Sequence, residues 1–274
     1  MIPTRARPEY LAVALASVMP QATRAQAEVL VISDGEDRST LAVVDRYGAR
    51  LVALSQSAGA NAARNAGVSA AHGDPIVLID DDVDAPPGWL DALLAGVADT
   101  PDCDVFGGPI RARLEGGGPS ACGRESAPIT TLELGAADRD VAFVWSANMA
   151  IRRRAFEQVG PFDEAILGRG EEEDWQRRYG ARGGRVRYLA NAGLDHRRTA
   201  SDATVRALAR AAYAQGRAAR RYDARKGTPP SIPQELRTLA GCVWHIIRRR
   251  CAIGVVLTAH SAGRMREALA GEGS

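Results

Sequence analysis

Three adjacent acidic residues form a candidate cation site. Asp80-Asp81-Asp82 directly follow the apolar run Ile76–Ile79, which predicts a strand buried on both faces. In open α/β sheets, ligands bind beyond the carboxyl ends of the strands. Carboxylates at that point bind a hard divalent cation, which in turn binds a diphosphate. Alternation along an extended chain directs Asp80 and Asp82 to the same side, so we expect them to share one cation, directly or through water.

A calcium-binding loop and a solvated acidic turn are the other interpretations of this run. Asp80, Asp82 and Asp84 match the first, third and fifth positions of a calcium loop. However, Ala85 stands where that loop needs glycine, and Asp91 stands where it needs a bidentate glutamate. A strand rather than a helix also precedes the run, so we exclude the calcium loop. The solvated turn stays open as the less favoured interpretation.

Asp34 and Arg64 are candidates for contact with a nucleotide. Asp34 follows the apolar run 29–32 and precedes Gly35. An acid at the tip of a neighbouring strand can accept a hydrogen bond from a base or a ribose, although Asp-Gly is also a common turn. Arg64 lies in the small-residue segment 59–67. There it can reach a nucleotide or an acid of the site, or it is a surface residue on a well-packed helix.

Four consecutive acids at 171–174 form a second carboxylate cluster, at the start of a predicted helix. The helix dipole accounts for part of this pattern. Clustered carboxylates also raise one another's pKa, which suits a general base near neutral pH. Asp174 can pair with an arginine at 177 or 178, which indicates a structural role. Glu171 and Glu172, next to two glycines, are better placed for chemistry. His196, a lone histidine after a short strand, gains interest only from these neighbours.

The elements that must position these residues alternate between strand and helix patterns. Such alternation predicts a parallel sheet covered by helices. Segment 1–4 resembles the end of a first strand that is either very short or begins upstream. A Pro-rich break at 228–233 precedes a last helical region. The predicted strands are 28–33, 50–54, 75–79, 105–110, 142–151 and 185–189, and the predicted helices are 8–19, 38–47, 61–71, 86–98, 171–179 and 201–225.

Composition excludes several classes of protein. The chain has 274 residues, of which 46% are hydrophobic and 25% charged, as in an ordinary globular protein. Its net charge of +2 is too small to indicate a nucleic-acid binder. Arginine predominates after residue 196, which suggests that the C-terminal part meets an anionic partner. The most apolar C-terminal stretch, 240–257, is interrupted by three arginines at 248–250 and falls short of the ~20 apolar residues that span a bilayer.

The cysteines indicate a reducing compartment. Four of them lie at irregular spacings, and no signal peptide is apparent, so we expect a cytoplasmic protein without a disulfide framework. A zinc set can be written in the C-terminal region, but its spacing fits no common zinc motif. Small buried thiols in a helical segment explain it more simply. The four cysteines are Cys103, Cys122, Cys242 and Cys251, and the zinc set would add His245 and His260 to the last two.

Taken in order, these segments resemble the family 2 glycosyltransferases. The resemblance covers residues 1–200 and rests on the order in which the matching segments occur. It implies an α/β GT-A fold, with a Rossmann-like, mostly parallel sheet flanked by helices. The nucleotide-binding half would be 1–104, the acceptor half 105–200, and a helical C-terminal extension 201–274. The matching segments are Pro3-Thr-Arg5-x-Arg7-Pro8, Val31-Ile-Ser-Asp34-Gly35, Ala63-Arg64-Asn65-x-Gly67, Leu78-Ile-Asp80-Asp81-Asp82, Pro87-Gly88-Trp89-Leu90, Ser146-Ala-Asn148, Gly160-Pro-Phe162-Asp163-Glu164 and Gly170-Glu171-Glu172-x-Asp174-Trp175.

The resemblance also implies roles for individual residues. Asp34 would contact the nucleobase, most often uracil. Asp80 and Asp82 would form a DxD element for Mn²⁺ or Mg²⁺ and the donor diphosphate, with His196 as a further metal ligand. Asn148 would line the donor sugar pocket. The rest of the expected donor-binding set is Pro3, Thr4, Arg5, Arg64 and Asp81.

The catalytic base implied by the resemblance is Glu172. Family members with Gly-Glu-Asp at this helix start use the second acid, and here glutamate replaces the usual aspartate. The longer side chain can do the same chemistry but displaces the carboxylate by about one methylene. Glu171 and Asp174 therefore stay open as alternatives.

The function implied is inverting transfer of a sugar from a nucleotide sugar to a hydroxyl group. UDP is the default nucleotide, with GDP and dTDP open. The acceptor would be a saccharide, a lipid-linked compound or a small molecule, and no nucleic acid is involved. Peripheral contact with the inner face of the membrane, through Arg-rich C-terminal helices, is an option left open.

Two other functions are weighed against transfer. A nucleotidyltransferase would carry a Gly-rich phosphate loop after its first strand, whereas segment 4–8 reads Thr-Arg-Ala-Arg-Pro. A degenerate nucleotide-sugar-binding protein is suggested by the short first strand and the glutamate at 172.

Overall fold

The computed structural model describes residues 1–119 and 129–271. The chain divides into two compact units, each continuous in space but not in sequence. The first unit comprises Met1–Ala112, Thr131–Leu167 and Glu171–Arg197, and the second comprises Arg113–Thr130, Gly168–Gly170 and Arg198–Ser274.

Strands and helices alternate through the first unit, and helices dominate the second. The strands are β1 (Ile2–Thr4), β2 (Leu30–Ser33), β3 (Arg50–Ala53), β4 (Ile76–Ile79), β5 (Val83–Asp84), β6 (Val105–Gly107), β7 (Ile110–Leu114), β8 (Arg139–Val141), β9 (Asn148–Ile151), β10 (Val186–Tyr188) and β11 (Leu194–Arg198). The helices are α1 (Pro8–Arg24), α2 (Arg38–Tyr47), α3 (Ala60–Ala70), α4 (Trp89–Asp99), α5 (Arg153–Val159), α6 (Glu171–Gly180), α7 (Val205–Arg225), α8 (Ile232–Arg249) and α9 (Ala252–Gly271).

The central sheet of the first unit is mostly parallel, as predicted. Strands β1, β2 and β3 pair in parallel. Met1 joins β1 to β4, because its backbone N donates to Val77 O and its O accepts from Ile79 N, the pattern of a parallel pair. The row continues in the order β4-β9-β6-β10-β8, in which β4, β6 and β10 share one direction and β9 and β8 oppose it. The carboxyl ends of β1, β2 and β4 therefore meet at one edge.

Local sequence accounts for many element boundaries. Strand β2 is buried along its whole length, as its apolar run predicts. Helix α2 begins after Asp37, whose carboxylate accepts from the backbone N of Ser39 and Thr40, and ends at Gly48 with φ of +68°. The left-handed φ explains the glycine, because other residues adopt it at a cost.

Segment 142–151 differs from the single strand predicted there. Only Asn148–Ile151 forms a strand, because the backbone of Val144 bonds to a side chain of α6 instead of a neighbouring strand. Gln176 accepts from Val144 N at 2.9 Å and donates to Val144 O at 2.8 Å. The apolar sequence around Val144 does not indicate that a glutamine from a helix 32 residues away will bond to its backbone.

Two other predicted elements also shift. The strand expected at 105–110 ends at Gly107, and Ile110 begins a separate strand. The helix expected from Pro86 begins at Trp89, because Gly88 with φ of +87° precedes it in a turn.

The second unit is built around α7, α8 and α9. Its apolar core contains Leu208, Ala212 and Val256. Helices α7 and α9 approach closely, since a Cβ at Gly216 would lie 2.0 Å from His260 O. The last helical region, predicted as one, is two helices that separate at Arg250, whose φ is +49°. Within the described parts of the chain, no helix is long and apolar enough to cross a membrane.

Candidate functional site

Asp80, Asp82 and His196 converge at the end of β4. One ligand atom from each lies within 4.8 Å of the others, and Nε2 of His196 is 3.0 Å from Oδ1 of Asp82. Antiparallel pairing of β11 with β5 sets His196 opposite Val83, and Arg197 N donates to Asp82 O at 2.7 Å. A turn at 81–82, rather than strand alternation, brings the two aspartates together. Two carboxylates and one imidazole fit a divalent cation such as Mn²⁺.

Asp81 lies in a different environment from its two neighbours. It is buried, and its carboxylate accepts from Oγ1 of Thr4 at 2.7 Å and from Arg7 at 2.6 Å. Arg7 also donates to Asp82 at 2.9 Å, so one guanidinium bridges two of the three acids. Arg7 was not among the predicted site residues. Arg7 precedes Pro8, the first residue of α1, and this position does not indicate which carboxylate its side chain contacts.

Burial and mutual repulsion raise the pKa values of carboxyl groups in the acidic run. Burial and the charge of Asp82 raise the pKa of Asp80, although Arg64 and His196 oppose the shift. Burial also raises the pKa of Asp81 to about 7, with Arg7 opposing it and Asp82 adding to it. A positive charge placed among these groups relieves that repulsion, which is a property expected of a cation site.

The acids at the start of α6 have separate environments. Glu171 is buried, with one carboxylate oxygen 4.0 Å from Nη1 of Arg64. Asp174 pairs with Arg178 at 3.0 Å, in accord with its predicted structural role. Glu172 is half-buried and accepts from Oγ of Ser146 at 3.5 Å. The charge of Glu172 also raises the pKa of Asp80, after the larger effect of burial, so this acid lies near the cation site.

Arg64 is buried rather than on the surface. It donates to Oδ1 of Asn61 at 3.1 Å and to Oγ of Ser146 at 2.8 Å. Its charge lowers the pKa of Asp80 against the larger effect of burial. The guanidinium therefore lies between the start of α6 and the end of β4, within reach of acids of the site.

Asp34 lies at the end of β2 and holds the loop before α3. Its carboxylate accepts from Ala58 N at 2.6 Å, from Gly59 N at 3.1 Å and from Oγ of Ser57 at 2.9 Å. Burial raises its pKa, but these hydrogen bonds and the charge of Arg5 outweigh burial and lower it overall. Arg5 itself is exposed and Pro3 half-buried.

Asn148 lies at the start of β9 and is fully buried. Nε1 of Trp89 donates to its Oδ1 at 3.0 Å, and its Nδ2 donates to Pro109 O and Ala192 O. These bonds connect β9 to α4 and to two loops. Contact between Asn148 and a sugar stays a prediction.

The described cysteines and histidines of the C-terminal region do not form a metal-binding group. Within residues 1–119 and 129–271, Asp80, Asp82 and His196 are the group that could hold a metal, and the zinc set considered above is not one. Cys103 and Cys242 are free thiols, and Cys122 lies outside the described residues.

Comparison with known proteins gives consistent results for family and fold. Residues 1–160, more than half of the chain, match the family model described as Glycosyl transferase family 2. Glu172 and His196 lie beyond the matched residues. A pre-mycofactocin glycosyltransferase of Mycobacterium tuberculosis is 34% identical over 171 residues, which are 60% of this chain and 35% of that protein. This chain therefore spans about a third of the length of that relative.

Solved structures show the same fold at low sequence identity. The mannosyltransferase PcManGT from Pyrobaculum calidifontis, in complex with GDP-Man and Mn²⁺, has a TM-score of 0.60 at 16% identity, covering 98% of this chain and 72% of that one. GalNAc-T7 with UDP, GalNAc and Mn²⁺ has a TM-score of 0.50 at 16% identity, covering 77% and 43%. The chain has the GT-A fold and belongs to glycosyl transferase family 2.

Proposed function

We propose that this protein transfers a sugar from a nucleotide sugar, with UDP as the first choice of nucleotide, to a hydroxyl group with inversion at the anomeric carbon. The observation that supports this most is the convergence of Asp80, Asp82 and His196 at the sheet edge, with Glu172 nearby. Asp34, at the end of β2, is the proposed nucleobase contact. The family match supports the class of reaction but names neither donor nor acceptor.

Asp80, Asp82 and His196 are the proposed ligands of a divalent cation. When bound, the cation stabilises the negative charge that develops on the leaving diphosphate. A nitrogen ligand among oxygens suits Mn²⁺ better than Mg²⁺, which prefers oxygen alone. Mn²⁺ is also the ion named with the two similar structures.

Arg64 is the proposed second cationic group of the donor site. Its guanidinium is buried, and Nε has no hydrogen-bond partner among the residues that the structure describes. A donor diphosphate provides acceptor oxygens for such a group. Arg7 supports the site indirectly, because it fixes Asp81 and Asp82.

Glu172 is the proposed general base. The acceptor oxygen attacks the anomeric carbon while Glu172 takes the hydroxyl proton, and the bond between that carbon and the diphosphate oxygen breaks. The products are an inverted glycoside and a nucleoside diphosphate. Glu172 suits this role better than Glu171, which is buried beside Arg64, or Asp174, which pairs with Arg178.

A donor-turnover assay tests this proposal. The purified chain is incubated with a panel of UDP-, GDP- and dTDP-sugars and Mn²⁺, and released nucleotide is measured with and without simple saccharide and lipid-linked acceptors. We expect release with one donor, loss of release with EDTA, and recovery with Mn²⁺ above that with Mg²⁺. Asp82→Asn should abolish release, whereas Asp84→Asn, on β5 outside the ligand set, should retain it.

If no donor of the panel releases nucleotide but calorimetry still detects nucleotide binding, the protein would be a nucleotide-sugar-binding protein without transfer activity. Release that survives EDTA would remove the metal from the proposal. Product configuration, read from the anomeric proton coupling, decides between inversion and retention.

A further inference from the structure

Helix α8 exposes an apolar face. It packs against α9 through a side that contains buried Glu235 and half-buried Leu239 and Ile246. A different side is exposed: Ile247 is 65% and Trp244 64% solvent-accessible. We define the exposed apolar face as Leu236, Ala240, Val243, Trp244 and Ile247. At 3.6 residues per turn this face is roughly 100° wide, as in an amphipathic helix.

The charge around this face is positive. Arg237 and Arg248 flank it on the helix, and Arg249 and Arg250 follow at the C-terminal end, all of them exposed. The acidic residue of α8, Glu235, is buried and accepts from Nε and Nη2 of Arg264. On the exposed part of α8, the charged residues that accompany the large apolar side chains are therefore all arginines.

Helix α7, the other Arg-rich helix, has a different electrostatic character. Arg217 and Arg221 both pair with Glu267 of α9, at 2.7 and 3.2 Å. Arg220 lies 3.6 Å from Glu235. These ion pairs compensate part of the charge of α7. Among the described residues, the arginines beside the apolar face of α8 form no ion pair.

We propose that α8 docks on an anionic lipid bilayer, parallel to its surface, with Trp244 and Ile247 at the headgroup–acyl boundary and the flanking arginines at lipid phosphates. Apolar side chains beside a basic row are typical of interfacial helices, and tryptophan favours the membrane–water interface. The arginines and limited length keep the helix in the plane, in accord with the finding that no described helix can span a bilayer.

A second copy of the chain fits this face less well than a lipid surface. Pairing two α8 helices through the same face would bring two arginine rows together without exposed acids on either. Anionic lipids provide the complementary charge. The inference rests on the second unit and does not depend on the proposed transfer reaction.

Tryptophan fluorescence with vesicles tests the docking directly. Trp89 and Trp175 are buried and Trp145 is half-buried, so Trp244 dominates any change in exposure. With vesicles of phosphatidylcholine and phosphatidylglycerol we expect a blue shift and co-flotation of the full chain, both weakened by salt, and neither with phosphatidylcholine alone. Trp244→Phe should lose the blue shift but keep most of the flotation.

Matched variants locate the contact. Ile247→Glu should weaken partitioning by roughly tenfold or more. Leu269→Glu, at a leucine of α9 that is 56% exposed, serves as the control and should keep it. The double variant Arg248→Gln with Arg249→Gln should weaken partitioning by roughly tenfold or more, because each basic side chain contributes near an anionic surface.

Three results would overturn the proposal. The first is no flotation with anionic vesicles, and the second is flotation that Ile247→Glu leaves unchanged. The third is a dimer, seen by light scattering without lipid, that Ile247→Glu converts to a monomer, which would make this face a protein interface. Circular dichroism confirms that each variant is folded. Donor turnover measured on the same variants separates a failure of docking from a failure of the transferase proposal.

Discussion

At the scale of single residues, three adjacent aspartates differ in what they contact. Asp80 and Asp82 lie close to His196, whereas the Asp81 carboxylate accepts hydrogen bonds from Thr4 and Arg7. Arg7 also donates to Asp82, so Asp82 takes part in both the proposed cation site and the internal ion pair, whereas Asp81 takes part in the ion pair alone. The run leaves the strand in a turn at 81–82, so strand alternation does not describe it.

Replacing Glu172 tests the proposed base. Glu172→Gln keeps size and hydrogen bonding but cannot take a proton, so we expect kcat to fall by roughly 10²–10⁴-fold. Nucleotide-sugar affinity should change little, because the proposed donor contacts lie elsewhere. Steady-state kinetics and calorimetry measure the two quantities.

Neighbouring acids provide the controls for that variant. Glu173→Gln should keep kcat near the parent value, and Asp174→Asn should lower stability more than turnover, because it loses the pair with Arg178. Unchanged kcat in Glu172→Gln would refute the assignment. A comparable loss in Glu171→Gln alone would transfer the role to Glu171.

At the scale of elements, an aromatic cluster fixes the helix that carries Glu172. Trp175 of α6 stacks on Tyr179, with ring centroids 5.8 Å apart, and packs against Phe156 and Phe162. Its Nε1 donates to Gly160 O at 2.8 Å. The side chain is fully buried, so α6 is anchored three residues beyond the proposed base.

Trp175→Ala should lower the free energy of unfolding by about 3–5 kcal/mol, since it leaves a large cavity. Trp175→Phe keeps most of the packing but leaves Gly160 O without its donor, at a cost of about 1–3 kcal/mol. Urea denaturation measures both. Trp244→Ala, at the exposed tryptophan of α8, is the control and should stay within about 0.5 kcal/mol of the parent. Equal losses at the two tryptophans would contradict this account.

At the scale of the whole molecule, the buried acids link stability to pH. Burial raises the pKa of Asp81 from 3.8 to about 7 in the folded state. The folded protein therefore binds more protons than the unfolded chain between these values, so stability falls as pH rises through this window. The penalty is complete above the folded pKa, and it is absent below the unfolded one.

Asp81→Asn removes that titration and should flatten the pH profile of stability between about pH 4 and about pH 7. The difference from the parent should be at most a few kcal/mol at neutral pH, since one pKa unit corresponds to about 1.4 kcal/mol. Urea unfolding of both proteins at several pH values, without metal, measures it. Asp91→Asn, at an exposed acid, should leave the profile unchanged. Parallel profiles for the parent and Asp81→Asn would refute the assignment.

The sequence by itself determined most strands and helices within residues 1–104 and the place of the acidic run. Apolar runs and capping residues are local signals, so β2, α2 and the left-handed Gly48 follow from short windows. A strand that ends in acids also predicts a cation site, because the carboxyl ends of parallel strands form the ligand-binding edge. The family resemblance rests on the same local segments, and the comparisons confirm it.

Only the tertiary structure decided which side chains meet. Thr4 and Asp81 bond across 77 positions of sequence, and Gln176 bonds to the backbone of Val144 across 32. The approach of His196 to Asp82 depends on the register between β11 and β5. Such contacts depend on strand order and register, which no short window encodes. The exposed apolar face of α8 belongs to the same class, since an amphipathic pattern shows two kinds of face but not which one a neighbour covers.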